Sequence, residues 1–291
     1  MAAVTTQADV TYARIGEREL KCDIYRPAEA GGPLPAALLL HGGGWRRGSR
    51  ATLKDRAEEL AGHGVVVVAA EYRLTGEARW PAHIHDAKAA LRWLRANAAA
   101  YGVHPDRIAF VGFSAGAHLA LLAAGTPGHP AFRGDGGHLD VSEAVNAVVG
   151  FFPPLRFHAG DARAGGETPA SPASSLGDDI TEAEMREASP LAHLSAAYPP
   201  TLLLHGTADE VVPPSTSIEL FGRLRELGVP ADLRLYTGLR HEFVRLDGLL
   251  QVCMADVALF LRRTVVEPER FNLSQAELFG ARPATPEGGP R

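Results

Sequence analysis

Short apolar runs recur along this sequence and alternate with longer segments whose apolar residues have helical spacing. Val65–Ala70 is continuous and mostly β-branched, which is typical of a parallel strand covered on both faces. In Pro81–Ala99 the apolar residues instead recur every three or four positions, which predicts an amphipathic helix. The other predicted strands are two short ones within Thr11–Tyr25, then Ala36–Leu40, Arg107–Val111, Ala144–Phe152, Thr201–Leu204 and Leu233–Tyr236; the other predicted helices are Ser49–Leu60, Ala115–Ala124, Thr216–Leu227 and Val244–Arg263. Strands that alternate with helices predict an α/β fold with a mostly parallel central sheet and helices on both faces.

The length of the chain fits one such domain, which we place at residues 1–264. The chain has 291 residues, and α/β folds often extend over ~250 residues as one unit. Residues 155–189 interrupt the alternation and are rich in glycine, alanine, serine, proline and acidic residues, with one weak helical stretch near Ile180–Ala188. A segment of this kind is usually functional or mobile, so we expect a short lid here. Residues 265–291 contain several prolines and are expected to be a disordered tail.

Charge and composition exclude several classes of partner. The formal net charge is -5 with no clustered basic stretch, so no nucleic-acid surface is predicted. The amino terminus has no basic and apolar signal-peptide pattern, and no apolar run approaches the ~20 residues of a membrane span. We therefore expect a cytoplasmic protein that binds a small molecule and no membrane. A homodimer remains an open alternative.

The chain has two cysteines, Cys22 and Cys253. A disulfide between them is an open alternative, but two thiols make no disulfide framework. Two unpaired thiols in a reducing compartment are the favoured interpretation.

The stretch Gly112–Gly116 has the pattern G-x-S-x-G around Ser114. A β-rich run precedes this pattern and a helix-compatible run follows it. This order of strand, turn and helix is the context in which the motif indicates a nucleophile. The sharp turn between strand and helix exposes the serine hydroxyl at a helix amino terminus, where developing negative charge is favoured. Ser114 is therefore the predicted nucleophile. The alternative is a glycine-rich turn without chemistry.

A second glycine-rich stretch, His41–Trp45, follows the predicted strand Ala36–Leu40. In lipases and esterases an HGGG-type motif supplies backbone N–H groups to an oxyanion hole, together with the residue after the nucleophile. The candidate donors here are Gly43, Gly44 and Ala115. An ordinary glycine-rich turn is the alternative.

A serine hydroxyl needs a base, and His241 is the only histidine that follows the candidate acid Asp209. The order Ser, Asp, His is the one expected in this kind of fold. Asp209 and His241 each follow a predicted strand, at the edge where open α/β sheets bind ligands. Two rival acids are weaker, because Glu210 lies one residue further out and Asp232 is at the start of a strand.

The other histidines carry weaker functional interpretations. His83 and His85 form an H-x-H pattern, but on a helix these side chains diverge, so no metal site is predicted. We expect no cofactor. His118 directly follows the predicted turn and is expected to pack or form hydrogen bonds, and His41 and His205 are expected to stabilise the loops that they begin.

Taken together, these motifs resemble the bacterial esterases of the α/β-hydrolase fold, near the hormone-sensitive-lipase-like group and closest to its feruloyl-esterase-like branch. The resemblance covers roughly residues 11–263 and rests on HGGGW at 41–45, EYRL at 71–74, GFSAGAHLALL at 112–122, HGTADEVVP at 205–213 and RHEF at 240–243. The sequence departs from it at Phe113, where an acid is usual, at Ala117 for a common glycine, and at Glu242 for a glycine after the histidine.

The resemblance implies a serine carboxylesterase that hydrolyses short-acyl or aromatic esters through an acyl-enzyme. An arylformamidase-like amide hydrolase is the alternative, because HGG-x-W also resembles that family, and a non-catalytic binding protein is a third possibility. The residues expected to line the substrate pocket, with the neighbouring Pro153 and Leu155, are Trp45, Phe113, Phe151, Phe152 and Phe157.

Overall fold

The computed structural model describes residues 3–29, 31–157, 176–177 and 180–273 of the chain. Within these residues, eight strands form one sheet in the order β1-β2-β4-β3-β5-β6-β7-β8. The strands are β1 (Val4–Ile15), β2 (Arg18–Pro27), β3 (Leu34–Leu40), β4 (Val66–Ala70), β5 (Val103–Phe113), β6 (Ala147–Phe151), β7 (Thr201–Gly206) and β8 (Ala231–Tyr236). β1 and β2 form an antiparallel hairpin, β2 is antiparallel to β4, and every other pairing is parallel. The predicted α/β fold with a mostly parallel sheet is confirmed.

Helices cover both faces of this sheet. The α-helices of the described residues are α1 (Lys54–Ala61), α2 (Ala82–Ala96), α3 (Ala115–Gly125), α4 (Glu182–Ala188), α5 (Ser215–Glu226), α6 (Leu249–Leu261) and α7 (Pro268–Phe271). Helices α2, α3 and α5 pack on one face and α1 and α6 on the other, so adjacent residues of a strand enter different cores. Leu38 of β3, for example, belongs to the first core and Leu39 to the second, as the two-residue period of a strand requires.

The hairpin at the amino terminus is longer than predicted. β1 begins at Val4, whereas the sequence predicted a start at Thr11. Residues Thr5–Gln7 are exposed and pair with the end of β2 at the edge of the sheet. Because an edge strand does not need an apolar face along its whole length, hydrophobic alternation does not show where it begins.

The described residues include only parts of the predicted lid and tail. Leu155, Phe157 and Leu176 of the insert are buried in the core with α2 and α3. Residues 158–175 and 178–179, which carry the rest of the lid prediction, lie outside the described residues. Residues 265–273 were expected to be disordered but include the short helix α7, while 274–291 are not described.

The two cysteines are free and buried. Cys22 lies in the core with α2 and α3, whereas Cys253 lies in the core with α1 and α6, on the other face of the sheet. Burial raises the pKa of the Cys22 thiol to about 12 and that of the Cys253 thiol to about 11. Both thiols are therefore protonated and packed as small apolar side chains, and the disulfide alternative is wrong.

Candidate active site

Three side chains predicted to act together meet at the carboxyl edge of the parallel strands. Ser114 follows β5, Asp209 follows β7, and His241 follows β8. His241 Nε2 lies 3.0 Å from Ser114 Oγ, and His241 Nδ1 lies 2.7 Å from Asp209 Oδ2. With Nδ1–H donating to the carboxylate, Nε2 is free to accept the serine proton. The structure therefore joins the three residues in one hydrogen-bonded chain.

The backbone at Ser114 is strained in the way the G-x-S-x-G motif requires. Ser114 has φ 52° and ψ -116°, a conformation that a non-glycine residue rarely adopts. A Cβ atom on Gly112 would lie 2.2 Å from the carbonyl oxygen of Gly116, and one on Gly116 would lie 2.3 Å from that of Leu40. Both positions are therefore restricted to glycine by the close approach of three backbone segments.

Asp209 is held as a carboxylate by four hydrogen-bond donors. Its Oδ1 accepts from the amides of Val211 and Val212, at 2.9 Å each. Its Oδ2 accepts from His241 and also lies 3.2 Å from Nε2 of His205. Burial acts to raise the pKa of Asp209, but the hydrogen bonds from His205, His241 and the Val212 amide outweigh it and hold that pKa well below its usual range.

The glycine loop lies against Ser114. A Cβ atom on Gly42 would lie only 3.2 Å from Ser114 Cβ. Gly43 has φ 120° and Gly44 has φ 61°, both in the region that favours glycine. In the described part of the chain, the amides of Gly43, Gly44 and Ala115 donate to no protein acceptor. Gly43, Gly44 and Ala115 thus belong to the two segments, the glycine loop and the start of α3, that meet at Ser114.

Comparison with known families agrees with this geometry. The sequence profile of the family described as BD-FAE matches residues 22–224. The chain belongs to the BD-FAE family. Its resemblance to α/β-hydrolase esterases, predicted from the motifs, is thereby confirmed.

Relatives of this BD-FAE chain are named as esterases. It is 34% identical over 229 residues to the probable carboxylic ester hydrolase LipM of Mycobacterium tuberculosis, covering 75% of this chain and 52% of LipM. It is 31% identical over 246 residues to the esterase LipC of the same organism, covering 79% of this chain and 59% of LipC. The chain thus spans little more than half the length of these curated relatives.

Solved structures share the fold over almost their whole length. A truncated carbohydrate esterase from gut microbiota superposes with a TM-score of 0.78 at 27% identity, covering 88% of this chain and 96% of that one. The butyrate-bound esterase Est2 of Thermogutta terrifontis superposes with a TM-score of 0.75 at 28% identity, covering 91% and 95%.

The aromatic residues predicted to line the substrate pocket of this BD-FAE protein are packed in its cores. All five side chains are at most 3% exposed. The rings of Phe113 and Phe151 stack 4.6 Å apart in the core under α1 and α6, and the ring of Phe152 lies 4.5 Å from that of His241. Phe152 therefore packs against the ring of His241. The five side chains therefore belong to the packed cores of the described residues, and their role in binding a substrate stays a prediction.

Trp45 and Phe157 pack instead around the buried His118 of α3. The indole of Trp45 donates to His118 Nδ1 at 3.2 Å, and His118 Nε2 donates to the carbonyl of Ala188 at 2.7 Å. The ring of Phe157 lies 4.6 Å from that of His118. His118 therefore joins the glycine loop, the helix behind the nucleophile and the end of α4, a connection that the sequence did not reveal.

The rival catalytic residues are placed elsewhere. Glu210 pairs with Arg240 at the surface, and Asp232 pairs with Arg263 near the other end of β8. His83 Nε2 lies 3.1 Å from Thr75 Oγ1, and His85 contacts the carbonyl of Ala131. Among the described residues, no group of histidine, cysteine or acidic side chains is arranged to hold a metal ion. No helix among them is long and apolar enough to cross a membrane.

Two buried histidines give the fold an acid sensitivity that can be measured. Burial lowers the pKa of His118 to about 4 and that of His83 to about 3. In the unfolded chain both titrate near ~6.5, so the stability that depends on their neutrality is complete above that pH and is lost as pH falls towards 4. We expect His118 alone to remove roughly 3 kcal/mol from the free energy of unfolding between pH 7 and pH 4.

Urea unfolding of a His118→Gln variant checks this expectation. The variant should be less stable than the wild type at pH 7, because it lacks the native bonds of the ring, but its stability should fall less steeply with acid. His63→Gln is the control, since His63 is exposed. Equal slopes for the wild type and His118→Gln would show that His118 does not account for the acid sensitivity.

Proposed function

We propose that this protein hydrolyses carboxylic esters through an acyl-enzyme formed on Ser114. The observation that carries the proposal is the unbroken chain of hydrogen bonds from Asp209 through His241 to Ser114. A serine hydroxyl is a weak nucleophile, and a base within hydrogen-bond reach, itself oriented by a third group, is the arrangement that activates it.

In the proposed mechanism each residue has its own step. Ser114 Oγ attacks the ester carbonyl while His241 Nε2 takes the serine proton, and the amides of Gly43, Gly44 and Ala115 donate to the resulting oxyanion. His241 then returns the proton to the departing alcohol, which leaves the acyl group on Ser114. A water molecule, deprotonated by His241, attacks the acyl carbonyl; His241 then gives that proton to Ser114 Oγ as the bond to the acyl group breaks and the acid leaves. Asp209 stays ionised throughout and stabilises the imidazolium.

The relatives support an ester rather than an amide substrate. LipM and LipC are named for ester hydrolysis, one structural neighbour is titled as bound to butyrate, and another as a carbohydrate esterase. We propose esters of short or aromatic acids as the substrate class. Rates for p-nitrophenyl esters of graded acyl length, measured beside an aryl formamide, test this choice. Faster turnover of the formamide than of every ester would reassign the protein to the amide alternative.

Covalent labelling provides a direct test of the nucleophile. One structural neighbour is titled as a Thermogutta terrifontis esterase phosphorylated by paraoxon; it is 30% identical, with a TM-score of 0.74 over 90% of this chain and 95% of that one. We expect one equivalent of paraoxon to add a single diethylphosphoryl group to this chain, at Ser114, and to remove essentially all esterase activity. Intact-mass and peptide-mapping spectrometry measure the site. Labelling of a Ser114→Ala variant, or mapping to another residue, would contradict the assignment.

A further inference from the structure

Glu242, directly after His241, has a backbone conformation that its residue type disfavours. Its φ is 60° and its ψ is 22°, in the left-handed region. Such a conformation costs a non-glycine residue on the order of 1 kcal/mol, and glycine would adopt it freely. The side chain of Glu242 has contacts that can offset this strain.

The carboxylate of Glu242 binds an arginine that is almost completely buried. Its Oε2 accepts from Arg56 Nη2 at 2.6 Å and from the more exposed Arg245 at 3.0 Å. Burial lowers the pKa of Arg56, and the neighbouring Glu242 opposes that effect. A guanidinium remains charged in proteins, so without Glu242 a full positive charge would be left unpaired in the core.

Arg56 also contacts the residue that precedes the nucleophile. Its Cζ lies 4.2 Å from the centre of the Phe113 ring, which is the geometry of a cation–π contact. The other carboxylate oxygen of Glu242 faces the glycine loop, because a Cβ atom on Gly42 would lie 3.2 Å from Glu242 Oε1, 3.0 Å from the Phe113 carbonyl and 3.2 Å from Ser114 Cβ. The Arg56–Glu242 pair thus meets three segments: the end of β5, the glycine loop and the loop of the base.

We propose that Arg56 and Glu242 are positioning residues that hold His241 in register with Ser114 and the glycine loop. The inference rests on the proposed ester hydrolysis. Arg56 fixes Glu242 from α1, and Glu242 fixes the backbone of its neighbour His241. Displacement by about 1 Å can cost a reaction ~10²-fold in rate, so a rigid link next to the base matters for turnover.

The ion pair and its surroundings supply a set of matched variants. Glu242→Gln and Arg56→Met each remove one charge and keep most of the side-chain volume. The double variant leaves no unpaired buried charge and is therefore the one most able to fold. Arg245→Gln removes the exposed partner of Glu242 and serves as the control. Glu242→Gly relieves the left-handed strain but also removes the carboxylate.

The experiment measures kcat and KM for p-nitrophenyl butyrate, normalised to the sites titrated by paraoxon, together with the melting temperature. We expect Glu242→Gln and Arg56→Met to lower kcat by ~10- to 100-fold with KM changed less than about threefold. The double variant should lose less than the product of the two single losses, because the partners act as a unit. Glu242→Gly should also lose kcat, and Arg245→Gln should stay within about twofold of the wild type.

Normalisation to titrated sites separates positioning from stability. A purely structural pair would lower the melting temperature and leave kcat per titrated site unchanged, and that result in the double variant or Glu242→Gly would overturn the inference. The failure of the proposed function is distinct. In that case the wild type itself shows neither turnover nor paraoxon labelling, and the positioning role is lost with it.

Discussion

Replacing Ser114 by alanine should abolish ester hydrolysis and leave the fold intact. Ser114 Oγ forms the bond to the acyl group, and no other hydroxyl in the hydrogen-bonded chain can take its place. Loss of the equivalent serine in subtilisin costs about 10⁶-fold in kcat, and we expect a loss of at least ~10⁴-fold here. Circular dichroism should be unchanged, since the alanine methyl fits the space of the hydroxymethyl group. Ser195→Ala, in an exposed loop, is the matched control.

The same experiment includes His241→Ala and the double variant. Neither residue can catalyse the reaction without the other. His241→Ala should therefore lose about as much kcat as Ser114→Ala, and the double variant should lose no more than either single variant. His63→Ala, which removes an exposed histidine, should keep full activity. More than a few per cent of wild-type kcat in Ser114→Ala would refute the mechanism. Losses that multiply in the double variant would show that the two residues act independently.

The central strands of this fold are predictable because their burial is visible in the sequence. Val66–Ala70 is completely buried, and a strand covered on both faces has no polar position to interrupt its apolar run. The edge strand β1 was underestimated, since the exposed Thr5–Gln7 carry no hydrophobic signal. The short helix α7 was not predicted because the prolines of the tail indicated disorder, whereas Pro268 occupies the first position of this helix, where no amide donor is needed.

The sequence predicts those residues of the candidate active site that follow the end of a parallel strand. Ser114, Asp209 and His241 each follow a parallel strand, so topology alone brings them together. The burial of two of the predicted pocket residues also follows from the sequence. Phe113 and Phe151 share the strand parity of Val111 and Val149, which are core residues, and so must enter the same core.

Contacts between residues that are far apart in the sequence leave no local sequence pattern from which they could be predicted. Arg56 and Glu242 are 186 positions apart, and only the substitution of glutamate where a glycine is common indicated an unusual environment next to the base. His205 was expected to stabilise its own loop. Its ring forms hydrogen bonds with the Ser217 hydroxyl and the Val212 carbonyl. The ring also contacts Asp209, and this contact depends on the turn that follows β7. The positions of these partners are set by packing of the whole domain rather than by local sequence.

The second large effect is expected from Asp209→Asn. The carboxylate accepts from four donors: the two amides of Val211 and Val212, His205 and His241. An asparagine side chain has only one acceptor oxygen, so in either orientation its NH₂ group faces two of these donors. When the NH₂ group faces His241, it donates to Nδ1 and forces the proton onto Nε2, which then cannot accept from Ser114. The same tautomer error costs trypsin about 10⁴-fold in kcat.

We therefore expect Asp209→Asn to lower kcat by ~10³- to 10⁴-fold, less than Ser114→Ala, because the acid orients and stabilises the base without taking the proton. Glu210→Gln is the matched control: Glu210 is the adjacent acid, it forms an ion pair with the exposed Arg240, and the variant should keep wild-type kcat. Paraoxon labelling adds a second readout, since Asp209→Asn should be phosphorylated at Ser114 far more slowly than the wild type. If Asp209→Asn retained most of its activity while Glu210→Gln lost it, the catalytic acid would be Glu210, and the loop after β7 would have to rearrange in solution to bring that side chain to His241.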